Sequence, residues 1–137
     1  MAKTVIISGA TGFIGTVLCR ELAARGYAIV VLSRNPEKGA THFGSQVKVV
    51  GWDARSAAGW AEYAEGAQGI INLTGENIAA GRWTRARKEK ILQSRLAAGR
   101  AIVDALGQVS TKPRVVIQAS GIGYYGKQVI KELLKHK

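Results

Sequence analysis

The sequence predicts an α/β fold: a doubly wound parallel sheet of about five strands with helices on both faces, in three layers. Three observations lead there. Compact apolar, largely β-branched runs recur at Thr4–Ser8, Ala28–Leu32, Val47–Gly51, Gly69–Leu73 and Val115–Ala119, the pattern of strands buried on both faces. Polar or helical stretches separate them, and strands alternating with helices form parallel sheets. The first run breaks into a glycine-rich turn that opens a helix.

Thr4–Ser8 is the first strand. From Phe13 to Arg25, Ile14, Val17, Leu18 and Leu22 repeat at helical spacing, and Gly26 supplies the left-handed stop after a helix. Cys19 lies among these apolar residues and reads as filler on a buried helix face. Ala28–Leu32 and Val47–Gly51 follow as the second and third strands, and Ala57–Glu65 forms a short helix before the fourth strand, Gly69–Leu73. The strongest helix runs from Thr84 to about Leu106. Its apolar stripe is Leu92, Leu96, Gly99, Val103 and Leu106, while Arg85, Arg87, Lys88, Lys90, Arg95 and Arg100 occupy its other faces. Trp83 anchors that helix by core packing. Val115–Ala119, after Pro113, is the fifth strand. Gln128–Lys135 gathers Val129, Ile130, Leu133 and Leu134 into a short amphipathic basic helix.

At 137 residues the chain fits a single domain. No apolar run is long enough to span a bilayer, and the start lacks the apolar core and cleavage site of a secretory signal, which implies a cytoplasmic protein. The net charge of +11 attracts phosphate-rich partners of any kind. The basic residues concentrate at Arg82–Arg100 and Lys127–Lys137, and a solvated helix face explains the first cluster more simply than nucleic-acid binding, which lacks aromatic interleaving here. His42 and His136 stand isolated, so no metal site is expected.

The glycine turn reads Gly9-Ala-Thr-Gly12-Phe-Ile-Gly15. A side chain at Gly9 would obstruct the exit from the strand, one at Gly12 would block a pyrophosphate, and one at Gly15 would hold the helix off the sheet. The helix start offers free N–H groups and a positive dipole end to phosphate. Gly9, Thr11, Gly12, Phe13, Ile14 and Gly15 are thus candidate cofactor-binding residues. At the end of the second strand, where NAD enzymes usually place an acidic residue, stand Ser33 and Arg34. A hydroxyl and a guanidinium suit a 2'-phosphate, so NADP(H) is expected over NAD(H). The competing reading of Arg34 is an ordinary loop charge.

The wider Gly-x-x-Gly-x-x-Gly spacing resembles the short-chain dehydrogenase/reductase superfamily. Downstream, Asn72-Leu-Thr-Gly-Glu-Asn-Ile78, Gly81-Arg-Trp-Thr84, Arg87-Lys88, Ser94-Arg95 and Ser120-Gly-Ile-Gly-Tyr-Tyr-Gly126 follow in an order that resembles its atypical, sugar-nucleotide-epimerase-like members, the NAD-dependent epimerase/dehydratase family. The resemblance covers residues 4 to 126 and implies a Rossmann-like fold. It also implies that Leu73, Thr74 and Gly75 pass along the cofactor and that Asp53 contacts adenine, although Asp53 also reads as a cap for the following helix.

The same resemblance sets the family's catalytic Ser or Thr on Gly121, which has no hydroxyl, with Ser120 one residue away. The superfamily's Tyr and Lys, four residues apart, have no counterpart: Gln128 follows Tyr124 and Val129 follows Tyr125 at that spacing. Ser120 and Tyr124 are the remaining catalytic candidates. Family members run to roughly twice this length, in line with two-part proteins. The chain therefore resembles their N-terminal Rossmann part without the substrate region, and complete catalytic machinery is not expected. The fifth strand then loses its neighbours, exposing an edge that a second copy covers in a homodimer.

Overall fold

The computed structural model describes residues 3–75 and 81–119. Strands β1 (Thr4–Ser8), β2 (Ala28–Ser33), β3 (Lys48–Gly51), β4 (Gly69–Asn72) and β5 (Val115–Gln118) form one parallel sheet in the order β3-β2-β1-β4-β5. β1 is central: Ser8 stands opposite Leu32 of β2 on one side and Asn72 of β4 on the other. The chain therefore reverses its direction of travel across the sheet between β1 and β4, the switch point where such sheets open a crevice at their carboxyl ends.

Alternation along the strands splits the core in two. Val5, Ile7, Ile29 and Val31 face one side, where Leu18, Cys19 and Leu22 of α1 (Phe13–Ala24) and Phe43 of α2 (Pro36–Phe43) cover them. Ile6, Val30, Leu32 and Ile70 face the other, against Trp60 and the alanines of α3 (Arg85–Gln108). Burying each such strand side chain stabilises the fold by roughly 1.5–3 kcal/mol. The result is the expected three-layer, Rossmann-like α/β arrangement. Each strand lies within a residue of its sequence-derived bounds, and Gly26 takes the left-handed conformation, φ +87°, after α1. Cys19 is buried as expected, and desolvation pushes its thiol up to about 11. Among the described residues no helix is long and apolar enough to cross a membrane.

Four features differ from the sequence reading or were not assigned in it. First, α2 is a helix that apolar periodicity does not reveal, since its stretch is Pro-Glu-Lys-Gly-Ala-Thr-His-Phe. Its start is set locally: Asn35 Oδ1 accepts the Lys38 amide at 3.1 Å and Pro36 occupies the first turn. Gly39 then lets α2 lie close to β3, because a Cβ there would stand 2.9 Å from Val49 Cγ1.

Second, the short helix expected over Ala57–Glu65 forms only as a 3₁₀ turn, Ala61–Ala64, because Gly59, at φ +81°, precedes it as a break. Glu65 ends that turn as a clamp. Its carboxylate accepts the amides of Ser110 at 2.8 Å and Thr111 at 2.6 Å, and these bonds hold its pKa below the usual carboxylate value.

Third, α3 buries a different stripe. Ala98, Ala101, Ile102 and Ala105 face the core, whereas Leu92, Leu96 and Val103 are 49%, 41% and 65% exposed; of the expected apolar side chains Leu106 packs against the core, half-buried. The two stripes lie roughly a third of a turn apart. Small alanines let the helix approach the bulky Trp60 and its neighbours Ala61 and Ala64, which the leucine stripe could not do. Likewise Ile14 and Val17 of α1 are exposed, and only part of its predicted face packs inward.

Fourth, Trp83 is 57% exposed and does not join the core. Arg85, Lys88, Lys90 and Arg100 are exposed as expected, but Arg87 and Arg95 are half-buried. The basic tail helix expected over Gln128–Lys135 lies outside the described residues.

Candidate cofactor site

The glycine turn connects β1 to α1 at the switch point. Gly9 sits at φ +70°, and a Cβ on it would come within 2.7 Å of the Leu73 carbonyl carbon, so the exit of β1 presses against the exit of β4. Gly15 is needed for contact with its own loop: a Cβ would meet the Ala10 Cα at 2.5 Å and the Gly9 oxygen at 2.6 Å. That refines the expected role, since the crowding comes from the loop and not from the sheet. At Gly12 the nearest heavy atom to a Cβ is the Gly9 oxygen, 3.5 Å away, so the protein itself leaves that position open. Gly12 caps α1 without a side chain, and the first turn carries no acidic residue. The positive end of the helix is left uncompensated there.

A polar network fixes the neighbouring strand ends. Ser8 Oγ donates to Asn72 Oδ1 at 2.6 Å, the Thr74 amide donates to the same oxygen at 3.0 Å, and Asn72 Nδ2 donates to Gln118 Oε1 at 2.7 Å. Asn72, completely buried, thus ties β1, β4 and β5 and holds the backbone from Leu73 onward.

These parts enclose a cavity of about 870 Å³ at the carboxyl ends of β1, β2 and β4. Of the sequence-derived residues, Gly9, Thr11, Gly12, Ser33 and Arg34 line it, together with Leu73, Thr74 and Gly75. Phe13, Ile14, Gly15 and Asp53 do not. Phe13 and Ile14 are exposed in the first turn of α1, and Gly15 is buried behind it. Ser33 Oγ donates to the Asn35 carbonyl at 3.0 Å, so its hydroxyl already serves the loop before α2.

Asp53 also works within its own loop. Its Oδ1 accepts the amides of Arg55 and Ser56, both at 2.8 Å, and Oδ2 accepts the Ser56 hydroxyl, which lowers its pKa with the Arg55 bond as the largest cause. That is the capping geometry, although no regular helix follows. Its neighbours Trp52 and Ala54 line the cavity instead. Trp52 is held from behind: the indole nitrogens of Trp52 and Trp60 both donate to the Ser56 carbonyl, at 2.7 and 2.9 Å.

Sequence reasoning missed Lys38, Thr41 and His42, which enter the lining from α2. Lys38 and Arg34 make the cavity basic, and among the described residues no acidic one lines it. The four-residue steps from Arg34 to Lys38 to His42 were the available signal, readable only once a helix is known to begin at Pro36. Ser120 and Tyr124, like Gly121, lie outside the described residues.

Comparison with known proteins agrees with this arrangement. Residues 5–135 match the model of the NAD dependent epimerase/dehydratase family. The chain is 34% identical to the epimerase family protein YfhF of Bacillus subtilis over 127 residues, and 29% identical to the human epimerase family protein SDR39U1 over 130 residues. Each alignment covers 93% of this chain but 40% of the relative, so the chain spans about two fifths of these proteins. The crystal structure of human SDR39U1 isoform 2 with NADPH superposes with a TM-score of 0.70 at 31% identity, over 89% of this chain and 38% of that one. The match to the family model along nearly the whole sequence, on a Rossmann-like sheet with a glycine turn at its switch point, shows that the chain belongs to the NAD dependent epimerase/dehydratase family.

Proposed function

We propose that this chain is a domain binding NADP(H) in preference to NAD(H), the nucleotide-holding part of an epimerase- or reductase-like protein. The observation that carries the reading is the cavity itself. It joins a glycine turn, an uncapped helix start and the cations of Arg34 and Lys38, with no acidic residue among the described residues of its lining. A dinucleotide fits these residues. Gly12, unconstrained by the protein, gives a pyrophosphate room to approach, and the α1 amides donate to it. Arg34 pairs with the 2'-phosphate through planar, charge-assisted bonds that a 2'-hydroxyl cannot return in kind. Trp52 and Ala54 supply an apolar wall for the adenine end, with Asp53 close by in sequence. The human relative's crystal structure, which contains NADPH, supports this choice of ligand.

A bound nicotinamide would supply hydride transfer, while the residues described here bind and orient. The sequence around Gly121, with no hydroxyl at that position and no Lys four residues after Tyr124 or Tyr125, favours a second reading, a cofactor-binding or regulatory module without turnover of its own. In either case the protein is cytoplasmic and pairs as a homodimer through β5, an edge of the described sheet with Val115, Val116 and Ile117 exposed.

Calorimetric titration with NADPH and, separately, NADH tests the function. Tighter NADPH binding that collapses in Arg34→Glu is expected; absence of binding by both overturns the reading. Turnover of a nucleotide sugar or carbonyl compound by the purified chain would exclude the module without activity.

A further inference from the structure

Arg34, Lys38 and His42 recur every fourth residue, and all three line the cavity. Lys38 and His42 share one face of α2, one helical turn apart, and Arg34 stands just before its cap, Asn35. The same helix turns Phe43 toward the core and lays Gly39, itself at the cavity, against Val49, so packing fixes the rotation of the helix. His42 is further held by α1. Its Nε2 lies 3.1 Å from Thr16 Oγ1, and that hydroxyl donates to the Gly12 carbonyl at 2.8 Å. The Ala10 carbonyl lies 3.2 Å from the same hydroxyl, and when its proton goes to either carbonyl, the contact with His42 is made by an N–H on Nε2, as in the charged ring. The ring is therefore one side chain removed from the pyrophosphate turn, with Nδ1 left over.

We infer that α2 carries a cationic ladder gripping both phosphate groups of the dinucleotide, Arg34 at the 2'-phosphate, Lys38 between, and protonated His42 at the pyrophosphate. The inference rests on the dinucleotide reading above and extends it to two residues on an element absent from the glycine motif. A protonated imidazole has donors on both nitrogens. Thr16 takes one, and Nδ1–H supplies a charge-assisted bond to a phosphate oxygen. The charged groups sharing the cavity with His42 are Lys38 of α2 and Arg34 at the end of β2. From α1 the neutral Thr16 touches the ring from outside the lining, and Glu21 of α1 and Glu37 of α2 lie outside the lining as well. A phosphate beside an imidazole favours its charged form, so nucleotide binding is expected to tighten as pH falls through the range in which imidazoles change charge.

NAD⁺ is the probe, because it has no phosphate monoester titrating in that range and any pH dependence belongs to the protein. NAD⁺ binding to the full chain, measured by calorimetry, is expected to tighten about fivefold from pH 8 to pH 6, a modest gain for an exposed charge pair. His42→Gln flattens that dependence and leaves the NADP⁺ to NAD⁺ affinity ratio unchanged. Lys38→Gln weakens both nucleotides, NADP⁺ more. Thr16→Val, which removes the tie and keeps the imidazole, retains the pH dependence. Binding that is insensitive to pH in the wild type, or equally sensitive in His42→Gln, overturns the ladder while leaving the dinucleotide site standing. A Thr16→Val variant that behaves like His42→Gln overturns it too, by reducing His42 to a brace. Absence of binding by either nucleotide overturns the dinucleotide reading, and the ladder with it.

Discussion

Ser8 Oγ and Asn72 Oδ1 meet at 2.6 Å, across paired positions of β1 and β4 and with both residues buried. The asparagine amide simultaneously reaches Gln118 of β5, and its oxygen also takes the Thr74 amide. Asn72→Ala leaves the buried Ser8 hydroxyl and the half-buried Thr74 amide without that partner, while the exposed Gln118 can turn to water, at a cost of roughly 2–3 kcal/mol. Ser8→Ala removes one donor and costs about 1 kcal/mol. Urea unfolding followed by circular dichroism measures both, and equal midpoints for the two variants would contradict the hub role of Asn72.

The glycines separate by what surrounds them. Gly15→Ala drives a methyl into backbone atoms of Ala10 and Gly9 and is expected to cost about 3 kcal/mol. Gly75→Ala first meets the guanidinium of Arg95, with Cζ 2.8 Å from the new Cβ, and a long side chain can swing aside. Its cost is expected to stay within about 1 kcal/mol. Thermal melts of the two variants should differ plainly.

Acid should loosen the loop after α3. Glu65 and Asp53 both titrate lower in the folded chain than their ordinary values of 4.5 and 3.8. Their stabilisation is complete above those values and is lost as pH falls through the lower folded ones. Below pH 4.5, the urea midpoint of the wild type should therefore fall more steeply than that of Glu65→Ala. Parallel acid limbs would mean that the Ser110 and Thr111 bonds contribute nothing.

With its pKa at about 11, the Cys19 thiol holds little thiolate at neutral pH and is buried besides. The native chain should resist an aromatic disulfide reagent at pH 8, and urea should release one thiol per chain. Fast labelling of the folded protein would show that α1 opens readily.

At micromolar concentration light scattering should give twice the chain mass. Ile117→Lys, on the exposed β5, should return it to one chain without loss of circular dichroism. A wild type that scatters as a monomer removes the dimer.

All five strands could be read in the sequence because each is an unbroken apolar run, which burial on two faces demands of β1, β2 and β4, while β5 carries the same run although its side chains are exposed. α2 could not. Gly39 and Thr41 are poor helix formers, and the contact that rewards Gly39, with Val49, joins residues from different elements. The face of α3 was misjudged for a related reason: alanine weighs little in an apolar pattern, yet beside Trp60 its smallness decides which side packs. The same gap limited the cavity. Gly9, Gly12 and Arg34 announce themselves through motif and position, but Lys38 and His42 become neighbours only when the unforeseen helix brings them round.

The doubly hydrogen-bonded Ser56 carbonyl has an optical consequence. It pins two indoles 5.9 Å apart at 72° to one another, one of them forming part of the cavity wall. Reduced nicotinamide absorbs in the band where indoles emit, so a filled cavity should dim tryptophan fluorescence and brighten the nicotinamide in step. The Trp52 wall of the cavity doubles as a built-in lamp, and occupancy can be followed in the unlabelled chain.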